Sequence, residues 1–220
     1  MKANTELPIL AVEDDISPLE IQSESEVFHE QGGADFTVTE SIAIVNETGE
    51  RVQFHTASVR QGKTGAVCIV EQSRDDNASV FLIARHWRIA TKQWAWEFPR
   101  GMAGNNETPL ATAIRELAEE TGLCSKSVQT MILQHMHADT GVLRDDIAVF
   151  RVLLPSEQCD DSGAKTDWEL TNLRWVSADT IWRMIESGEI TDGITLATWS
   201  IYCARFHAVT EPNCHGSQAD

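Results

Sequence analysis

Residues 101–123 read GMAGNNETPLATAIRELAEETGL, and the reading of this stretch decides the fold. Its ends are marked for a helix. Thr108 is a good N-cap, Pro109 suits the first helical position, where a missing N–H is no loss, and Gly122 stands where a left-handed C-terminal cap is wanted. Between them Leu110, Ala113, Ile114 and Leu117 recur at helical spacing and predict an apolar stripe that docks on a sheet. Glu116, Glu119 and Glu120, beside Arg115, lie three and four residues apart, so they are expected to meet on one face, turned to one side of the stripe toward a cleft. Like charges at that spacing repel by roughly a few tenths of a kcal/mol per pair. Either water screens them or a cation neutralises them, and hard carboxylate oxygens suit Mg²⁺ or Mn²⁺, with water and a phosphate completing the octahedron. Gly101 and Gly104 bracket a loop that can approach a phosphate closely or turn sharply.

Gly101, Glu107 and the run Arg115-Glu116-Leu117-Ala118-Glu119-Glu120-Thr121-Gly122-Leu123 have the spacing of the Nudix box, which this chain resembles at every fixed position. The resemblance implies an α/β fold, a Nudix-type α/β/α sandwich with a mixed sheet, plus a small N-terminal antiparallel sheet. It implies hydrolysis of a nucleoside diphosphate linked to another moiety, with Mg²⁺ (or Mn²⁺) polarising the phosphate and activating a water. Glu116 and Glu120 are the expected metal ligands, Glu119 is either a ligand or a base, and the backbone carbonyl of Arg100 is a further ligand. Arg115 is expected to pair with a neighbouring carboxylate and fix its rotamer, while Glu107 either anchors the loop or positions a ligand.

The preceding segments, residues 81–88 (FLIARHWR) and 96–101 (WEFPRG), are similar to the strand and approach of ADP-ribose pyrophosphatases. That likeness runs loosely from about Phe36 to His207. It implies that Arg88 contacts the substrate's phosphates and that Glu97 hydrogen-bonds the nucleotide or ribose. Arg144 adds local positive charge for a nucleotide, and Trp96 is a candidate to stack on its base. Members specific for ADP-ribose carry a proline about sixteen residues past the box. Here Asp139 stands in that region, so other nucleoside diphosphate sugars, one bearing mannose included, stay open. The general base resembles an acidic residue on the loop before the penultimate helix, where Asp160, Asp161, Asp167 and Glu169 are available; the distance back from Arg174 to Ser177 favours Asp167 or Glu169.

A formal charge of −17 over 220 residues leaves no basic stripe to displace counterions from phosphates, which argues against nucleic acid and anionic membranes as partners. A small-molecule nucleotide substrate remains compatible. With no apolar run of membrane-spanning length and no basic, then apolar, leader pattern, a cytoplasmic location is expected. Cys68, Cys124, Cys159, Cys203 and Cys214 are odd in number and widely spaced, which fits reduced thiols. His135 and His137 alternate on a predicted strand but compete poorly with the harder glutamates for a metal.

Along the chain, residues 1–30 carry eight acids, one Lys and Phe28 as the single aromatic, and read as a mobile acidic arm. Residues 31–65 read as an N-terminal β-sheet region, 66–209 as the Nudix domain, and 210–220 as a flexible tail. Strands are expected over 36–46, 52–59, 66–71, 80–85, 128–137, 146–154 and 173–176, and helices over 177–187 and 193–207. The resemblance further implies a homodimer that exchanges its N-terminal sheets. Two alternatives stand beside the hydrolase: a catalytically silent Nudix nucleotide sensor, against which the complete glutamate set argues, and a protein-interaction module built on the acidic arm.

Overall fold

A computed structural model describes residues 16–30, 32–63, 65–74, 78–104, 106–123, 129–155 and 169–206. In chain order the strands are β1 (Leu19–His29), β2 (Phe36–Val45), β3 (Arg51–Val59), β4 (Gly65–Ser73), β5 (Ser79–Arg88), β6 (Gln93–Glu97), β7 (Arg100–Gly101), β8 (Gln129–Met136), β9 (Leu143–Arg144), β10 (Ile147–Leu154) and β11 (Leu170–Ser177). The helices are α1 (Pro109–Thr121), α2 (Ala178–Glu186) and α3 (Gly193–Phe206).

Local chemistry sets the ends of α1. The Thr108 side chain accepts from the Ala111 N–H at 3.2 Å, and Gly122 closes the helix at φ 72° with its N–H donating to Ala118 O. The buried face differs from the expected stripe. Leu110 is 41% exposed and Ile114 half-buried, while Thr112, Ala113, Leu117 and Thr121 are buried. An apolar template overlooks threonine, but Thr112 can be buried because its hydroxyl reaches Glu107 Oε2 at 3.0 Å and Thr108 O at 3.2 Å.

The main sheet runs β11-β5-β4-β10-β8, with β6 on β5 and β7 on β4. It is mixed, because β4 pairs with β10 in parallel while its other pairs are antiparallel. Alternation along β4 and β5 divides the core between two faces. Val67, Ile69, Phe81 and Ile83 pack with Ile181 of α2 and with Trp199 and Tyr202 of α3. Ala66, Cys68, Val70 and Leu82 pack with Ala113 and Leu117 of α1. Helices on both faces of a mixed sheet form the expected α/β/α sandwich. α2 begins at Ser177, whose hydroxyl accepts from the Thr180 N–H. α3 begins after Asp192, whose Oδ2 accepts from the N–H and hydroxyl of Thr195, both at 2.8 Å.

The second sheet runs β1-β2-β3-β9. It corrects the reading of residues 1–30 as an arm, since Leu19–His29 is a strand paired along the length of β2. Beyond Leu19 every residue of it is exposed, so no core supports it, and the backbone ladder holds it, aided by Ser41 Oγ donating to Glu24 Oε1 at 3.1 Å. The sheet is also not confined to 31–65, because β9 joins it in parallel to β3 and ties it to the segment that walls the cleft. Among the described residues no helix is long and apolar enough to cross a membrane.

Candidate active site

The carboxylates of α1 do not act as a trio. At ~100° per residue, Glu120 lies about 40° from Glu116 on one side and Glu119 about 60° on the other. Glu116 and Glu120 turn inward, with side chains 14% and 16% exposed, while Glu119 turns out at 60%. Glu116 packs over Gly101 so closely that a Cβ there would come 1.9 Å from its carboxyl carbon, which is why this position is glycine. A Cβ on Gly65, at φ +132°, would likewise come 2.0 Å from the Gly101 carbonyl oxygen.

Arg115 holds the group together. Its Nη1 lies 2.8 Å from Glu116 Oε1 and 2.9 Å from Glu119 Oε2, its Nε and Nη2 donate to Glu107, and Nη2 also donates to Met102 O at 2.9 Å. Glu107 Oε2 accepts from the Gly104 N–H at 2.8 Å, so Glu107 anchors the loop and the guanidinium together. The Arg115 hydrogen bonds, with the Gly104 N–H, bring the Glu107 carboxyl down to about 2.

Glu120 is in the opposite condition. Burial first, then the charge of Glu116, push its carboxyl up to about 8, against the hydrogen bond from the Arg100 backbone N–H. Glu116 is raised too, chiefly by burial. Glu120 Oε2 is buried with no hydrogen-bond partner, and Oε1 lies 4.0 Å from His86 Nε2. Among the described residues no group of three His, Cys, Asp or Glu is gathered to hold a metal. The Glu116 and Glu120 pair nevertheless fits a divalent cation: two hard carboxylate donors side by side, one with an oxygen left without a hydrogen-bond partner.

Across the cleft, Glu97 is fully buried between two arginines. Arg88 grips it in bidentate fashion, Nε at 2.8 Å, and Arg100 Nε donates to it at 2.8 Å. Burial raises the Glu97 carboxyl, and the two guanidinium groups more than reverse this, leaving it below the usual carboxylate range. Glu97 therefore orients arginines in this structure, where the resemblance implied a direct contact with the nucleotide. Arg100 Nη2 also reaches Asp192 Oδ1 at 3.3 Å, linking the network to the start of α3. Arg88, Arg100 and Gly101 line a cavity of about 340 Å³ closed by Met102, Leu143, Asp145 and Ile194.

The remaining candidates divide. Glu169 stands at the end of the main sheet nearest the site, its carbonyl accepting from the Trp87 N–H at 2.8 Å. Asp167, Asp160 and Asp161 lie outside the described residues. Arg144 is exposed on β9, and its neighbours Leu143 and Asp145 are the ones that line the cavity. Trp96 is displaced from the expected position: strand alternation turns it away from Glu97, and it lines a separate groove with Arg174, Val176 and Met184. Sequence reasoning missed His86, Asp145 and Asp192. His86 was within reach of it, being two residues before Arg88 and so on the same strand face. Asp145 is buried, both oxygens facing the Ala138 N–H at 3.2 and 3.1 Å, and has no local sequence signal for its place, whereas Asp192 is readable as the cap of α3 but not as a partner of Arg100.

Known proteins resemble this chain in sequence and in fold. A family model described as NUDIX domain matches residues 62–196. A CMP-5'-(N-acetyl-N-hydroxy-3-aminopropyl)phosphonate hydrolase of Streptomyces rubellomurinus is 28% identical over 155 residues, covering 70% of this chain and 69% of that protein. An RNA pyrophosphohydrolase of Saccharophagus degradans is 36% identical over 92 residues, covering 42% of this chain and 49% of that protein, so the chain spans about half of it. The fold matches that of a solved ADP compounds hydrolase with a TM-score of 0.64, covering 86% of this chain and 95% of that one at 14% identity. With the box glutamates on a capped helix beside the cleft and the family model spanning most of the chain, this protein belongs to the Nudix hydrolase family.

Proposed function

We propose that the chain is a divalent-metal-dependent hydrolase that splits the diphosphate link of a nucleoside diphosphate sugar or a similar small nucleotide, releasing a nucleoside monophosphate. The observation that carries this is the Glu116 and Glu120 pair, turned inward with one Glu120 oxygen left without a hydrogen-bond partner, against Gly101 at the wall of the cavity that Arg88 and Arg100 line. The relatives' names speak of a CMP-linked phosphonate, RNA and ADP compounds. A charge of −17 favours the small nucleotides over RNA for this chain.

When bound, Mg²⁺ supplies charge for the diphosphate oxygens and lowers the pKa of a water. Glu116 and Glu120 would hold it, with the Arg100 carbonyl as a further donor, and Arg115 keeps Glu116 in place while pairing with the outward-turned Glu119. Arg88 and Arg100, fixed by Glu97, present guanidinium edges to the phosphates. Glu169 is the accessible candidate for the base that takes a proton from water, and Asp167 is its alternate. Incubation with Mg²⁺ and a panel of nucleoside diphosphate derivatives, followed by chromatography, tests the reading. Release of a nucleoside monophosphate that stops on chelation is expected; tight binding without turnover would make the chain a sensor instead. Ile21, Val27, Phe28 and Phe54 expose apolar surface on the second sheet and support a homodimer, which light scattering would measure directly.

A further inference from the structure

On the face of the main sheet opposite α1, a groove of about 420 Å³ is lined by Ile83, Trp96, Arg174, Val176, Arg183 and Met184, with Thr180 and Glu189 at its rim. Behind Trp96, the Arg85 guanidinium lies 5.8 Å from the Trp96 ring centre and 5.9 Å from that of Trp94, and its Nε is buried without a hydrogen-bond partner. Among the described residues the Arg85, Arg174 and Arg183 side chains have no carboxylate partner, and the one side-chain hydrogen bond of the three is from Arg183 Nη2 to Thr180 Oγ1, at 3.2 Å.

We infer that this groove is a second nucleotide-binding site, separate from the hydrolytic cleft, which takes a nucleoside monophosphate with its base on Trp96 and its phosphate on Arg174 and Arg183. The volume falls within the ~300–1,000 Å³ of small-molecule sites. Trp96 offers an indole half-buried against the core and stacked with Arg85, a rigid platform for a planar base. Arg174 from β11 and Arg183 from α2 are exposed and both line the groove, and each guanidinium can meet a phosphate through two parallel N–H groups. Glu189 is the single acid on the lining and leaves an excess of positive charge there. The inference does not depend on the proposed hydrolysis, because it concerns other residues on the other face of the sheet.

Protein labelled with ¹⁵N-tryptophan and titrated with AMP in EDTA tests it. The Trp96 indole signal is assigned as the one missing from Trp96→Phe. In the wild type that signal is expected to move saturably, with a Kd of about 0.1–1 mM, or roughly 4–5.5 kcal/mol. It should still move in Arg88→Ala, and need at least tenfold more AMP in Arg174→Ala/Arg183→Ala, whose hydrolytic kcat/KM stays within twofold of wild type. A Trp96 signal that is unmoved by AMP, that moves equally with inorganic phosphate, or that moves alike in the double variant would overturn the site. Loss of its movement in Arg88→Ala would assign the binding to the cleft instead.

Discussion

Replacing Glu120 by glutamine separates stability from function. In the metal-free protein, burial and Glu116 hold the Glu120 carboxyl at about 8 against an ordinary value of 4.5. A carboxylate raised in the folded state leaves stability intact below the ordinary value and withdraws it as pH climbs from about 4.5 to about 8. At pH 7 the withdrawal spans about 2.5 pH units, on the order of 3 kcal/mol. Glutamine never ionises, keeps an oxygen for the Arg100 N–H and turns an amide toward Glu116. Glu120→Gln in EDTA at pH 7 should therefore gain on the order of 3 kcal/mol, or roughly 6–12 °C in Tm for a chain of this size. The gain should vanish near pH 4. Mg²⁺ should raise the Tm of the wild type and leave that of the variant unchanged, and metal-dependent turnover should be lost. Denaturant titration at pH 4 and pH 7, with and without Mg²⁺, checks all of this. A variant no more stable than wild type at pH 7 in EDTA would refute the claim that burial and the neighbouring Glu116 disfavour the Glu120 carboxylate.

Other expectations follow from single contacts. Glu97→Gln removes the anion that two guanidinium groups grip, and should lower stability by about 3 kcal/mol in chemical denaturation while raising KM, because Arg88 and Arg100 lose their anchor. Gly101→Ala puts a methyl 1.9 Å from the Glu116 carboxyl carbon, and should lower kcat/KM by about a hundredfold, read in steady-state kinetics, with circular dichroism showing a retained fold. The Glu107 carboxyl, at about 2, contributes stability that is present above about 4.5 and lost as pH falls toward 2; Glu107→Gln should flatten that acid limb in a pH series of unfolding midpoints.

What the sequence made legible is what local chemistry decides. The α1 ends were readable because Thr108, Pro109 and Gly122 each act within a few residues of themselves. The box spacing singled out Glu116 and Glu120, yet could not separate them from Glu119, since one helical step decides which carboxylate turns inward and which turns out to solvent. Leu110 and Trp96 were misplaced for a related reason: hydrophobicity names a residue that can be buried, while neighbours such as Thr112 and Arg85 decide which face it takes. β1 escaped because its pairing is carried by backbone, which acidic side chains do not advertise. The grip of Arg88 and Arg100 on Glu97, and of Asp192 on Arg100, joins residues up to 104 positions apart, from 88 to 192, and only the tertiary fold reveals it.

The central claim, that Glu116 and Glu120 together hold the divalent ion at a diphosphate cleft, is tested most directly by Mn²⁺ binding followed by electron paramagnetic resonance. Wild-type protein should bind Mn²⁺ saturably, more tightly when a non-hydrolysable nucleoside diphosphate derivative is present, and Glu116→Gln and Glu120→Gln should each weaken binding at least tenfold. Binding that is unchanged in both variants would place the metal elsewhere and contradict the account.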